Sequence, residues 1–211
     1  MTKILQIDFS PRSAERSVSR QLTHQFVEEW KTAHPTEDVT VTHRDLQNPS
    51  LPYVTEEWIA AAFSAPDQHG PELQKAIALS NELVDELFAH DLYVFGVPMY
   101  NFGVPAIFKA YIDQVSRAGR TFSFEPPATL KGLLTGKKLV VLSARGGSGF
   151  GPGQLLEKLN HQDPYIRTIS GFLGITDVTF IHSENLNGGE DVRSQSLAAA
   201  SAEIKEAVAS R

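Results

Sequence analysis

The sequence predicts an α/β domain in which helices cover both faces of a parallel sheet, and three observations lead there. Short apolar runs alternate with longer stretches of helical periodicity along the 211 residues. The runs are apolar at nearly every position instead of every second one, as strands covered on both faces require. No linker, internal repeat or low-complexity tract divides the chain, so residues 1–211 read as one domain.

The elements follow in order. Ile4 to Phe9 (I-L-Q-I-D-F) reads as a buried strand ended by Ser10-Pro11. From Ser17 to about Lys31, Val18, Leu22, Phe26, Val27 and Trp30 recur at helical spacing, and His34-Pro35 stops the run. Val39 to His43 alternates as a second strand, and Asn48-Pro49 with Pro52 marks a loop. Glu56 to Phe63 reads as a short helix. Pro71 to His90 reads as a long one, with proline in its first turn and an apolar stripe of Leu73, Ile77, Leu83, Val84 and Leu87. Leu92 to Val97 is a third strand and Ala106 to Ser116 a helix. Lys138 to Leu142 is a fourth strand, running into glycine-rich Gly146 to Gly153. Ile166 to Leu173 reads as helix, Val178 to His182 as a fifth strand and Ser194 to Ser210 as the closing helix. Five strands in one domain fit the flavodoxin-like order better than the six-stranded dinucleotide fold.

Composition removes several classes of function. Hydrophobic residues make up 41% and charged residues 21%, a globular balance. With no cysteine, a disulfide scaffold, a thiol nucleophile, an iron–sulfur cluster and a cysteine-ligated zinc site are excluded. The 25 acidic and 19 basic residues give a net charge of −6, and no Lys/Arg run is present, so no nucleic-acid partner is expected. The first apolar run breaks at Asp8, unlike a signal peptide, and no apolar stretch approaches the ~20 residues of a membrane span. The expectation is a soluble, cytoplasmic protein with no membrane partner.

In a sheet of this kind ligands sit beyond the carboxyl ends of the strands, where the strand order reverses. After the first strand, Ser10, Arg12, Ser13, Arg16, Ser17 and Ser19 gather hydroxyls and guanidiniums before a helix N-terminus, a setting that suits an anion. A plain helix cap at Ser13 or Ser17 explains part of the same pattern. After the third strand, Pro98-Met99-Tyr100-Asn101-Phe102-Gly103-Val104-Pro105 forms an extended loop that can place backbone groups and aromatic surface beside a planar ring, or pack as a hydrophobic lid. After the fourth, Ala144-Arg145-Gly146-Gly147-Ser148-Gly149 permits close backbone approach, though a loop without a ligand has the same composition.

Missing motifs narrow the ligand. No G-x-G-x-x-G follows the first strand, no G-x-x-x-x-G-K-[ST] occurs, and Phe150 replaces the last glycine of a hydrolase elbow. Asp45 alone is a weak counterpart of a ribose-binding acid. The seven histidines show no metal-ligand spacing, so no metal is expected, and His161 and Asp163 read as an exposed turn. A monophosphate ligand fits better than a dinucleotide. A chain without thiol or metal signature needs a cofactor for demanding chemistry.

At P-M-Y-N-F (98–102) and A-R-G-G (144–147) the chain resembles the FMN-dependent NADH:quinone oxidoreductases known as azoreductases. The resemblance extends through F-G-V-P-A-I-F-K-A-Y-I-D-Q-V-S-R-A-G-R-T-F (102–122), T-G-K-K (135–138) and F-L-G-I-T-D-V (172–178). It implies a flavodoxin-like homodimer with one FMN per subunit near the dimer interface. Ser10, Ser17, Val18 and Ser19 match positions at the FMN phosphate, with Val18 where a polar residue is familiar. Met99, Tyr100, Asn101 and Phe102 match the loop at the ring edge. Ala144, Arg145, Gly146 and Gly147 match the loop at the pyrimidine end, Ala144 replacing a serine and Arg145 lying nearby as a cation. Phe124 matches an aromatic position that influences substrate access. No side chain is assigned as an essential proton donor.

The resemblance further implies ping-pong turnover, NADH giving a hydride to FMN N5 and quinones or azo compounds then being reduced, with azo bonds cleaved to aromatic amines. Two alternatives stay open on the residues: a flavodoxin-type electron carrier without NADH oxidation, and a flavin-free interaction protein that keeps the fold.

Overall fold

The computed structural model describes residues 1–46, 51–125 and 129–211. The expected loop at Asn48-Pro49 lies outside the described residues. In chain order the elements are β1 (Thr2–Asp8), α1 (Val18–Ala33), β2 (Val39–Asp45), α2 (Glu56–Ala62), α3 (Pro71–Ala89), β3 (Leu92–Pro98), α4 (Ala106–Val115), β4 (Phe122–Glu125), β5 (Thr129–Gly132), β6 (Lys138–Ala144), α5 (Asp163–Leu173), β7 (Asp177–Ser183) and α6 (Glu190–Ala209). Five of the strands pair in parallel in the order β2-β1-β3-β6-β7. This is the five-stranded flavodoxin-like arrangement that the sequence predicts.

The strand pleat sorts side chains into two cores. Ile4 of β1, Leu92 and Val94 of β3, and Val140 and Leu142 of β6 face Leu22, Phe26 and Trp30 of α1 and Ala200 and Ile204 of α6. Their neighbours in sequence face the other way: Leu5 and Ile7, Tyr93 and Phe95, and Leu139 and Val141 pack on Leu83 and Leu87 of α3, Phe108 and Tyr111 of α4, and Ile166 of α5. Every residue of β3 is buried, since both its faces are covered. The edge strand β2 is only partly buried, which accounts for its polar alternation.

The sequence reading missed one feature. β4 and β5 form an antiparallel hairpin, with Phe124 opposite Leu130. A four-residue strand carries too little periodicity to be read alone. Its base is fixed by tertiary contact: Leu133 N–H donates to Thr121 O at 2.9 Å and Leu134 N–H to Leu173 O at 2.9 Å. There Gly132 lies against Gly174, the left-handed residue (φ 101°) that ends α5. A Cβ on Gly132 would occupy the space of the Gly174 backbone. Among the described residues no helix is long and apolar enough to cross a membrane.

Because that contact is backbone against backbone, neither side can swing aside. Gly132→Ala is expected to lower unfolding free energy by about 1–3 kcal/mol in denaturant titration. An unchanged midpoint would mean the hairpin is not docked on α5.

Candidate functional site

The strand order reverses between β1 and β3, so the loops after them diverge and leave a crevice at the carboxyl end of the sheet. A cleft of about 340 Å³ occupies it. The β1–α1 loop supplies Ser10, Arg12, Arg16, Ser17, Val18 and Ser19; the β3–α4 loop supplies Pro98, Met99 and Tyr100; Ala144 and Gly146 close the floor.

One end is built from donors. Ser17 caps α1, its Oγ accepting from Arg20 N–H at 3.4 Å. The Val18 and Ser19 N–H groups open the helix and have no acceptor among the described residues. Ser10, Ser17 and Ser19 are buried at 1–3% exposure. Ser10 Oγ accepts from Arg12 N–H at 3.3 Å, and Ser17 Oγ lies 3.3 Å from Ser19 Oγ. The Ser10 hydroxyl thus accepts from an N–H with its own proton left to donate, and the Ser17–Ser19 pair, sharing one bond, keeps one hydroxyl proton to donate. Around them stand Arg12, Arg16 and Arg193, none with a carboxylate partner among the described residues. Free N–H groups, hydroxyl protons and unpaired cations at a helix N-terminus make an anion cradle.

The other end is built from loop backbone. Tyr100 and Gly103 exchange two hydrogen bonds of 3.0 Å around Asn101 (φ 47°) and Phe102 (φ 70°), the pattern of a type I′ turn. Asparagine tolerates left-handed backbone, but phenylalanine seldom adopts it, so Phe102 is held under strain. Its ring is nonetheless 44% exposed. The turn therefore spends backbone energy to hold an exposed ring on the loop that borders the crevice. Across from it, the Gly146 and Gly147 carbonyls accept from Asn187 and Asn185 N–H (3.0 and 2.8 Å), leaving both glycine N–H groups without an acceptor among the described residues. A Cβ at Gly146 would meet Asn187 Nδ2 at 2.5 Å. Only glycine lets that amide close over the loop.

The comparisons agree with this geometry. The profile of a family described as flavodoxin-like fold matches residues 2–208. A relative from Trichormus variabilis named FMN-dependent NADH:quinone oxidoreductase 2 is 53% identical over 210 residues, 99% of each chain. The chain belongs to the FMN-dependent NADH:quinone oxidoreductase family. A Pseudomonas aeruginosa relative named FMN-dependent NAD(P)H:quinone oxidoreductase 1 is 44% identical over 193 residues, 90% of each chain. Among solved structures, an azoreductase from Bacillus anthracis superposes with a TM-score of 0.88 at 32% identity, covering 100% of both chains.

Five family-matched residues are not in the cleft lining: Asn101, Phe102 and Gly147 sit on loops that border it, and Arg145 and Phe124 point elsewhere. The Arg145 guanidinium does not supply a cation there. It is 1% exposed and turned to the far side of its loop, with Asp163 at 2.5 Å, Glu184 at 2.8 Å and the Phe150 ring at 5.7 Å. Its backbone is engaged as well, N–H to Ser183 O and C=O from Leu186 N–H. Arg145 holds the loop's shape. Phe124 is 67% exposed on β4, edge-on to Phe122, and does not line the cleft of its own chain.

Leu186, Asn187 and Arg193 line the cleft without having been singled out in the sequence. They come from the β7–α6 junction, where no motif marks them. The only local signal is the turn composition N-L-N-G-G. A larger cleft of about 920 Å³ lies beside β7 and α6, around Arg145, Asp163, His182 and Glu184. Its Arg145, Asp163 and Glu184 already pair with one another, with His182 Nε2 also 3.1 Å from Asp163 Oδ2. The smaller cleft, whose donors lack partners, is the better site. Among the described residues no group of three or more His, Asp or Glu is placed to hold a metal ion.

Burial alone would raise the Asp163 carboxyl, but hydrogen bonds from His182, Arg145 and Asn160 outweigh it and hold the group far below the usual carboxylate range. A depressed folded-state value adds stability above the unfolded pKa of about 4, lost as pH falls below it. Asp163→Asn is therefore expected to melt lower than wild type at pH 7, the gap narrowing below pH about 4 in thermal melts. A gap independent of pH would show that the carboxylate charge is not what stabilises the loop.

Proposed function

We propose that the chain is an FMN-dependent NADH:quinone oxidoreductase that also reduces azo compounds, with FMN held in the crevice between β1 and β3. The observation that carries this is the donor set at the start of α1. The buried Ser10, Ser17 and Ser19, the open Val18 and Ser19 N–H groups and the three guanidiniums, none paired with a carboxylate among the described residues, offer donors and positive charge. A phosphate monoester supplies the missing acceptors. The 53% identity over 99% of the chain to a relative bearing that activity in its name supports the same reading.

The other residues fit the rest of the cofactor. Met99, Tyr100, Asn101 and Phe102 would border the ring, with the Asn101 and Phe102 N–H groups free to meet polar edge atoms. Ala144, Gly146 and Gly147 would lie at the opposite edge, where unengaged N–H groups stabilise negative charge. The methyl of Ala144 brings no hydroxyl, so donation there falls to the backbone. Arg145 would contribute by fixing that loop through Asp163 and Glu184. FMN bound there would supply two-electron redox chemistry between NADH and a quinone or azo compound in ping-pong order. The protein's task is to bind, orient and exclude water around that exchange, and no side chain of the cleft is needed as an obligatory acid.

A homodimer fits the exposed aromatic surface. Phe124, Tyr100 and Phe102 are 67%, 39% and 44% exposed, more than an isolated subunit requires. Phe124 would then reach a substrate pocket from a second copy of the chain. Cytoplasmic location completes the reading, in keeping with an acidic chain whose described helices cannot span a membrane.

The deciding experiment is an absorbance spectrum after FMN addition and desalting, followed by anaerobic NADH. Flavin bands at roughly 450 nm that persist and then bleach are expected for a cofactor of this class. Persistence without bleaching would instead mark an electron carrier, and loss of the bands would remove the cofactor from the site. Tyr100→Ala and Phe124→Ala are expected to change the ratio of quinone to azo turnover more than they change flavin content. A uniform fall towards every acceptor would contradict their placement at the substrate.

A further inference from the structure

Beneath the anion cradle lies a polar cluster that the proposed activity does not use. Arg20, in the first turn of α1, is 5% exposed. Its Nε and one terminal nitrogen both donate to the Ser10 carbonyl, at 3.2 and 2.7 Å. The outer edge of the same guanidinium takes both Asp45 oxygens, at 2.8 and 2.6 Å. Asp8, 3.9 Å away, is held in turn by Thr23 Oγ1 at 2.8 Å and His43 Nε2 at 2.8 Å.

Ser10 follows the end of β1 and precedes Pro11, which has no N–H. Lying beyond the last ladder pair at Asp8, its carbonyl has no partner in the sheet. Turned towards the cleft that Ser10 lines, that oxygen would compete for donors meant for a ligand and repel a phosphate. Two parallel bonds from a buried guanidinium turn it down into the protein instead. The carbonyl orientation in turn fixes the Ser10 Cα, and with it an Oγ that lines the cleft. Two carboxylates offset the charge of Arg20, so its contribution is directional more than electrostatic.

We propose that Arg20 is a positioning residue for the cofactor phosphate, acting through Ser10. It keeps the Ser10 carbonyl out of the anion cradle and the Ser10 hydroxyl in it. This rests on the FMN reading above and adds a residue that does not itself line the cleft.

The test compares FMN with riboflavin, which lacks only the phosphate, by quenching of flavin fluorescence on titration with apoprotein. Arg20→Lys keeps the charge but cannot make the fork. The FMN dissociation constant is expected to rise about tenfold or more, the equivalent of losing one charged hydrogen bond, while that for riboflavin moves less than about twofold. Adding Ser10→Ala to Arg20→Lys should then weaken FMN little further, since both act on one contact. Should Arg20→Lys not fold, Asp45→Asn loosens the same guanidinium and is read identically. Equal weakening of FMN and riboflavin, or additive effects of the two substitutions, would overturn the proposal in favour of a purely structural Arg20. Wild-type binding by Arg20→Lys would overturn it in favour of charge alone. A wild-type protein that binds riboflavin as tightly as FMN would remove the cradle, and the inference with it.

Discussion

The reversal of strand order between β1 and β3 is the constraint on which the rest depends. Parallel strands point all their carboxyl ends one way, and connections leaving a reversal point go to opposite faces of the sheet. The crevice is thus a product of topology before any side chain is considered. What the sequence adds is chemistry at four strand ends: hydroxyls and guanidiniums after β1, a strained aromatic turn after β3, glycines after β6, and Asn187 with Arg193 beyond β7. Each lies on a loop held by a rigid strand, the usual division between scaffold and function.

Two buried ionic clusters flank the crevice. On one side Arg20 joins Asp8, Asp45 and the Ser10 carbonyl; on the other Arg145 joins Asp163, Glu184 and Gln162. Such clusters add little net stability over apolar packing, because desolvating the charges consumes most of what their attraction returns. Their value here is directional. A fork of fixed shape sets a loop to within the tolerance that a bound ring or phosphate demands, which apolar packing alone does less sharply. In the cluster around Arg20 the Asp8 carboxylate, hydrogen-bonded to His43, raises that imidazole's pKa.

The sequence carried most of the fold and most of the residues that line the cleft. The strands of the sheet were legible because β1, β3 and β6 are covered on both faces and therefore carry largely apolar runs. Ser17 was legible because a hydroxyl before a helical stripe has few other uses. The β4–β5 hairpin was not, since four residues show no period and its anchor, Gly132 against Gly174, lies 42 positions apart in the chain. Arg145 was misplaced for a related reason. A guanidinium beside a glycine loop reads as a ligand contact until the positions of Asp163 and Glu184 are known. Asn187 and Arg193 reach the cleft only through sheet order, which no local pattern encodes.

The spread of the cleft along the chain bears on how the protein is made. Its lining begins at Ser10 and ends at Arg193, so the anion cradle is incomplete until nearly all of the polypeptide has been synthesised. β1 must also wait for β3, and β3 for β6, before the parallel ladder closes, and such long-range pairing is intrinsically slow. A partly made or misregistered chain offers the cofactor no site. By mass action, then, the cofactor stabilises only the finished fold. Its cellular supply would set how much newly made chain is drawn past the slow steps of assembly.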